Sequence, residues 1–431
     1  MDQETQMSMN PPGVSRRNWL KLGAAGAACL AGGGSLASYL SSRLRAATAA
    51  EVFKDDAPQG ELWERWQKRG WSREARHYLK LGKNLQCKLC PNGCVLGPED
   101  RGRCRNRVHK DGVLYTLGYG TASSVHNDPI EKKPLFHFLP GTTAFSFATA
   151  GCGFRCLNCQ NWSISQRKPE ELKDPRGEPL RLKPRELFSA DADDMNRMSL
   201  FPDDLVAMAE HFNCRSIAYT YSEPIIWFEY MIDTAKAARA KNLKNVLVTC
   251  GYIEAEPLAE LCQYLDGVHI DLKGFDDEIY SRLNSGRLAP VLETILRLRR
   301  AGVWFEVVNL IVPTYTDRMD KIRQMCRWLV DKLGPDCPVH FSRFMPQHKL
   351  LQLPQTPVDA LIEARAIARE EGLHYVYIGN CSDAKVEDPE TTYCPSCKKA
   401  LVERSGFSIT SLHLADGKCK FCNTAIAGVW A

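Results

Sequence analysis

A chain of 431 residues, 44% hydrophobic and 25% charged, is long enough to bury one large core and a small satellite unit or two. The net charge is +5 and several of the positive charges fall within the first 45 residues, so the remainder is close to neutral and nothing calls for nucleic acid as a partner. The 18 cysteines fall mostly into three local sets with metal-ligand spacing, which argues against a disulfide framework.

The first 50 residues stand apart. Ser15-Arg16-Arg17-Asn18-Trp19-Leu20-Lys21 has the form of a twin-arginine export motif, an Ala/Gly-rich stretch from Leu22 to Leu40 follows, and Ala47-Thr48-Ala49 offers a cleavage site. That stretch is interrupted by glycines and too weakly apolar for a stable membrane span. It predicts export by the twin-arginine route. Such export suits a folded iron-sulfur protein, whereas an enzyme that uses a cytoplasmic cosubstrate would stay in the cytoplasm.

Residues 51–140 read as a Cys-rich module, with a polar segment from Leu62 to Leu81 expected to be helical. Cys87, Cys90, Cys94 and Cys104 place four thiolates within 18 residues, a set that suits an auxiliary iron-sulfur cluster or zinc. A strand is expected from Ala144 to Thr149, with Phe145 and Phe147 alternating against Ser146. Gly151 and the run Cys152-Gly153-Phe154-Arg155-Cys156-Leu157-Asn158-Cys159 follow it directly. Three thiolates on a cluster of four irons leave one iron open, and an open position is what chemistry needs and a purely structural site lacks. Residues 167–200 are charged and proline-bearing and read as a surface insertion.

Strands and helices then alternate. Strands are expected at Ser216–Tyr221, Asn245–Thr249, Gly267–Leu272, Phe305–Val312, Val339–Phe344 and His374–Ile378. Helices are expected after Pro202, from near Pro257, along the face Val291, Ile295, Leu298, over Ile322–Leu333, and after Thr356-Pro357 read as N-cap and first helical residue. Cys262 and Cys326 lie at buried helical positions and read as core thiols. Repeated β-α units demand a parallel sheet with right-handed crossovers, closing as a partial (β/α)6 barrel over residues 141–382, with its chemistry at the C-terminal ends of the strands. In Val268-His269-Ile270-Asp271-Leu272-Lys273 the alternation turns His269, Asp271 and Lys273 into the barrel, where inward polar groups are costly unless they meet each other or a polar ligand.

Residues 383–431 carry Cys394-Pro395-Ser396-Cys397 and Cys419-Lys420-Phe421-Cys422, two knuckles of the zinc-ribbon type. A rubredoxin-like iron site has the same donor set. Zinc is favoured because it needs no redox control.

Several runs together resemble one family. They are Asp128-Pro129-Ile130-Glu131-Lys132-Lys133-Pro134-Leu135-Phe136-His137-Phe138-Leu139-Pro140-Gly141, the Cys152–Cys159 spacing with Cys159-Gln160-Asn161-Trp162-Ser163-Ile164-Ser165-Gln166, Tyr219-Thr220-Tyr221-Ser222-Glu223-Pro224, Thr249-Cys250-Gly251-Tyr252, His269-Ile270-Asp271-Leu272-Lys273-Gly274 and the terminal cysteines. The family is the AmmeMemoRadiSam-system radical SAM enzymes, related to pyruvate formate-lyase activating enzymes. The resemblance implies that Cys152, Cys156 and Cys159 hold a catalytic [4Fe-4S] cluster whose open iron takes S-adenosylmethionine (SAM), and that Ser222, Glu223, Thr249, Asp271 and Lys273 contact SAM. It implies reductive cleavage of SAM to a 5′-deoxyadenosyl radical that abstracts hydrogen from an unidentified small-molecule or protein substrate. A one-electron donor such as ferredoxin or flavodoxin is implied as partner.

Two departures stand out. Asn158 replaces the aromatic residue common before the last cysteine, and Cys381-Ser382-Asp383 replaces a softer Gly/Pro turn. A glycyl-radical-enzyme activase is the rival enzymatic reading, but such activases carry their extra cysteines after the three-cysteine motif. A non-catalytic iron-sulfur or zinc carrier or scaffold is the rival of another class.

Overall fold

In the computed structural model, which describes residues 55–431, seven strands lie parallel and adjacent in chain order. An antiparallel strand, β1 (Ser124–Pro129), pairs along the whole length of β2 (Thr143–Ala148) at one edge. Then come β3 (Ser216–Tyr219), β4 (Lys244–Thr249), β5 (Gly267–Asp271), β6 (Trp304–Ile311), β7 (Val339–Arg343) and β8 (Val376–Gly379). The α/β class and sequential parallel order are as expected. The six β-α units expected are present, closed by β8 as a seventh parallel strand, and β1 makes the sheet a mixed one of eight. The twin-arginine run, the Leu22 to Leu40 stretch and the cleavage site lie outside the described residues. Among the described residues, no helix is long and apolar enough to cross a membrane.

Six helices connect the parallel strands: α1 (Pro202–His211), α2 (Phe228–Ala240), α3 (Ala255–Cys262), α4 (Leu288–Ala301), α5 (Met319–Leu333) and α6 (Val358–Glu370). Phe145, Phe147, Ile217, Tyr219 and Leu247 face this layer and are fully or almost fully buried, the Phe147 ring lying 5.2 Å from those of Trp227 and Tyr230. Each such side chain contributes about 1.5–3 kcal/mol by leaving water. The opposite faces of the same strands carry small residues, Ala144 and Ala218, beside Val246. These packing partners make room for the chain between β1 and β2.

That connecting chain forms the floor. Leu135, Phe138 and Leu139 are buried against Ala144, Ala218 and Val246. A Cβ on Gly267, at the start of β5, would lie 2.8 Å from the Phe138 ring, so glycine is required for this approach. Glu306, buried near the start of β6, accepts from the backbone N–H groups of Phe136 (3.0 Å) and His137 (2.7 Å) and pairs with His340 at 2.7 Å. The run Asp128 to Gly141 thus fills the N-terminal end of the sheet's inner face.

Two local expectations are corrected. The helix expected over Leu62 to Leu81 covers only Gly60–Lys68, because Gly70 turns the chain at φ +70 and Trp71 buries itself edge-on against Trp66 at 5.0 Å; strands Arg73–Glu74 and Tyr78–Leu81 follow. Tertiary burial of two indoles outweighs helix propensity there. Thr356 does not cap α6: its hydroxyl donates to Ile311 O (2.6 Å) and accepts from Phe344 N (2.7 Å), tying β6 to the chain after β7. The 167–200 segment, mostly exposed or half-buried, is anchored at a few points, with Leu187, Met198 and Leu200 buried and the Lys173 ammonium donating to Met198 O at 3.0 Å. Cys326 is buried as expected and Cys262 only half-buried.

Candidate active site

β2 ends where the three-cysteine loop begins. Gly151 has φ +98, and a Cβ there would stand 2.4 Å from the carbonyl oxygen of Cys104, so the loop leaves the sheet by pressing its backbone against the N-terminal four-cysteine segment. The loop is held by backbone bonds from Arg155 N to Asn284 O (3.0 Å) and Leu157 N to Leu283 O (2.9 Å). Each sulfur meets a polar partner: Cys152 Sγ accepts from Phe154 N at 3.4 Å, Cys156 Sγ accepts from Asn284 Nδ2 at 3.2 Å, and Cys159 Sγ lies 3.1 Å from Ser165 Oγ. Burial pushes the Cys156 thiol up to about 11 against the opposing Lys273 charge, and pushes Cys152 well up with the Glu223 carboxylate adding to the shift. A buried thiol set of this kind becomes anionic only when cations compensate it, as the irons of a cluster do.

The next strand end adds the rim. Tyr221 adopts the left-handed conformation (φ +64), and its hydroxyl donates to the Asp128 carboxylate. Asn161 Nδ2 holds the Tyr221 carbonyl at 2.8 Å. Such a backbone costs on the order of 1–3 kcal/mol and persists only when over-determined by contacts like these. The buried Glu223 carboxylate accepts from Thr249 Oγ1 (2.6 Å) and Cys250 N (2.9 Å), joining the ends of β3 and β4. Ser222 Oγ accepts from Trp227 Nε1 at 3.3 Å. The side chains of Ser222, Glu223 and Thr249 are therefore engaged within the protein and set the position of the strand edge.

On β5, Val268, Ile270 and Leu272 are fully buried on one side, and His269, Asp271 and Lys273 share the other. Asp271 Oδ2 accepts from Lys273 Nζ at 3.0 Å, and Oδ1 lies 3.1 Å from His269 Nε2. His269 Nδ1 donates to Lys133 O at 2.7 Å, so its Nε2 carries a hydrogen toward Asp271 only as imidazolium. Burial acts to raise the Asp271 pKa, but the Lys273 charge and the His269 contact outweigh it and hold the carboxyl well below the usual range. The charges of Asp271 and Lys273 both act on Cys156, which sets this group beside the loop.

Residues that the motifs did not single out complete the surroundings. Asn284 lies on a π-helical turn with no sequence signal, and Tyr280 accepts from Lys273 N at 3.1 Å. The Asn158 and Asn284 side-chain oxygens are buried without a hydrogen-bond partner among the described residues. An unpaired buried acceptor costs about 1–3 kcal/mol, so these atoms fit a site that a bound polar group completes.

The two four-cysteine sets differ. Cys394 and Cys422 approach to 3.5 Å and Cys397 and Cys419 to 3.7 Å, close to the roughly 3.8 Å that thiolates on one tetrahedral zinc require. Among the described residues, no other group of three or more Cys, His, Asp or Glu brings its ligand atoms within 4.8 Å of one another. This terminal set sits by the floor, where Val429 N donates to His137 O and Leu139 N donates to Val429 O, each at 2.7 Å. It lies at the opposite strand ends from Cys152, Cys156 and Cys159. Cys87, Cys90, Cys94 and Cys104 line a pocket together with Leu89, Asn92 and Arg107.

Residues 147–329 match the family model of the radical SAM superfamily. An uncharacterized protein of Methanocaldococcus jannaschii, MJ0808, is 43% identical over 357 residues, covering 82% of this chain and 98% of the relative. This chain belongs to the radical SAM superfamily. It is also distantly similar to the pyruvate formate-lyase-activating enzyme of Clostridium pasteurianum, 23% identical over 180 residues, 41% of this chain and 64% of that enzyme. A solved structure of Streptococcus suis SuiB bound to S-adenosylmethionine overlaps 61% of this chain and 56% of its own, with 11% identity and a TM-score of 0.40. Reductive cleavage of SAM at an iron-sulfur cluster is the general mechanism of radical SAM enzymes, and this chain is an enzyme of that kind. Such enzymes need a reductant and a substrate.

Proposed function

We propose that Cys152, Cys156 and Cys159 bind the [4Fe-4S] cluster of a SAM-cleaving enzyme that abstracts hydrogen from a substrate at the C-terminal ends of β2 to β8. The observation that carries this reading is a loop of three thiols of which Cys156 lies beside the Asp271–Lys273 pair. When bound, the cluster supplies the one electron that splits SAM into methionine and a 5′-deoxyadenosyl radical, which takes a hydrogen atom from the substrate. The residues do the rest. Asn284 and the Phe154 N–H hold Cys156 and Cys152 through hydrogen bonds that temper the charge on sulfur. Glu223, through Thr249 and Cys250, fixes the strand edge that meets the amino end of SAM, with Ser222 behind it. Asp271, half-desolvated and anionic, attracts the ammonium and sulfonium of SAM, and Lys273 limits how far that carboxylate reaches.

We further assign residues 51–140 to a Cys-rich module, 141–382 to the barrel with 167–200 inserted, and 383–431 to a four-cysteine ribbon holding zinc. A ferredoxin- or flavodoxin-type carrier is the proposed donor. The extra cysteines before the motif still argue against a glycyl-radical activase.

Deoxyadenosine release by the anaerobically reconstituted chain, with SAM and reduced flavodoxin, tests the central reading. Cys156→Ala is expected to abolish release and the SAM-induced change in the cluster spectrum while leaving the terminal metal bound. Undiminished release in that variant would sink the assignment.

A further inference from the structure

Cys87, Cys90, Cys94 and Cys104 line one pocket, walled also by Leu89, Leu96 and Ile226 and by the polar side chains of Asn92 and Arg107. Two of the four, Cys87 and Cys104, are buried, and Cys90 and Cys94 are partly exposed. No three of these sulfurs come within 4.8 Å of one another, although the terminal set does so without a bound ion. Thiolates on a single tetrahedral ion stand about 3.8 Å apart. A cubane places each thiolate on a different iron, so its ligands stand farther apart around a central volume. The cysteine spacing suits zinc and a cluster equally; the spread of the sulfurs favours the cluster.

A second observation concerns the distance to the catalytic loop. Asn92 Nδ2 reaches Cys90 Sγ at 3.6 Å and donates to Gly153 O at 3.1 Å. The N–H of that same peptide unit, on Phe154, donates to Cys152 Sγ at 3.4 Å. One side-chain amide and one peptide group therefore connect a sulfur of the first set to a sulfur of the second. On the same boundary a Cβ at Gly151 would meet Cys104 O at 2.4 Å, so the two segments are in backbone contact.

We infer that the Cys87–Cys90–Cys94–Cys104 pocket is the site of a second [4Fe-4S] cluster, coupled through Asn92 and the Gly153–Phe154 peptide to the cluster on the Cys152 loop. An electron from a reduced low-potential carrier protein enters on the side of the partly exposed Cys90 and Cys94. It reduces the second cluster by one electron and passes to the first, which is reduced by one as the second is reoxidised; no proton is needed and the carrier is the only species oxidised overall. The transfer to the Cys152 loop rests on the function proposed above, whereas the existence of the second cluster does not.

The full chain with Cys152, Cys156 and Cys159 all replaced by Ala, reconstituted anaerobically with iron and sulfide, tests the site. About four acid-labile sulfides per chain are expected, with the resonance signal of a reduced cubane. Sulfide decides the matter because a mononuclear zinc or iron site at Cys394 to Cys422 contains none. A variant with wild-type circular dichroism and no sulfide would overturn the second cluster. The wild-type chain gives the same answer without mutation: about eight sulfides are expected for two clusters, and about four would refute the inference. For the coupling, Asn92→Leu should keep wild-type sulfide but slow reduction of the Cys152-loop cluster by reduced flavodoxin several-fold, with dithionite reduction as control. An unchanged rate with flavodoxin would refute the path through Asn92.

Discussion

Asp271 and Lys273 stand two residues apart at the C-terminal end of β5, and their side chains meet at 3.0 Å on its inward side, beside the three-cysteine loop. The pair neutralises itself in the absence of any ligand. A cationic ligand that approaches Asp271 must compete with an ammonium already in place. Asp271→Asn keeps the shape and removes the charge, so weaker SAM binding and slower cleavage are expected with the cluster spectrum unchanged. Lys273→Met should act in the opposite sense on affinity for the cationic end of SAM. Equilibrium binding of SAM to the reconstituted variants checks both, and wild-type affinity in Asp271→Asn would mean that the carboxylate does not face SAM.

Gly151→Ala puts a methyl group 2.4 Å from the Cys104 carbonyl at φ +98, where no side chain fits without backbone movement. A destabilisation of about 1–3 kcal/mol is expected, with the loop displaced from the N-terminal segment. Thermal melting and iron content after reconstitution measure this. Full iron loading at wild-type stability would show that the loop exit tolerates the shift.

The terminal cysteines sit at the floor, away from the catalytic loop. Structural zinc contributes roughly 10 kcal/mol or more of apparent binding free energy to small modules, so Cys394→Ala should open residues after about Asp388 to protease while deoxyadenosine release persists. Intact protease resistance with loss of SAM turnover would instead tie this site to the chemistry.

Acid should loosen the same contact through His137. Burial lowers its pKa to about 4 against the raising effect of Glu306, and the ring is held neutral with Nδ1 donating to Ala427 O (2.7 Å) and Nε2 accepting from Tyr377 Oη–H (2.6 Å). Because the folded pKa lies below the ordinary 6.5, the unfolded chain binds more protons between pH 6.5 and 4. Stability from this group is fully present above 6.5 and declines as pH falls toward 4, by at most about 3 kcal/mol. Denaturant unfolding at pH 7 and pH 4.5, compared with His137→Gln, should show a pH-dependent loss that the variant lacks.

Local periodicity and spacing determined much of this protein from sequence alone. The parallel strand order, the helix faces around Val291 and Cys326, the inward phase of His269, Asp271 and Lys273, and the grouping of cysteines all follow from short-range rules, because a pleat repeats every two residues and a helix every 3.6. Contacts distant in sequence were decided only by the tertiary structure. Glu223 is engaged by Thr249 and Cys250 across a strand pair, Thr356 ties two strands instead of capping a helix, and Trp71 ends the first helix by burial against its neighbour. The run Asp128 to Gly141 is conspicuous as a motif, yet its role as the floor depends on the space that Ala144, Ala218 and Gly267 leave open from three separate strands. The opposite placement of the terminal cysteines and the nearness of the first set to the catalytic loop are likewise tertiary facts. Spacing states which thiols stay together along the chain, and only packing decides how far apart their sulfurs stand and what lies between them.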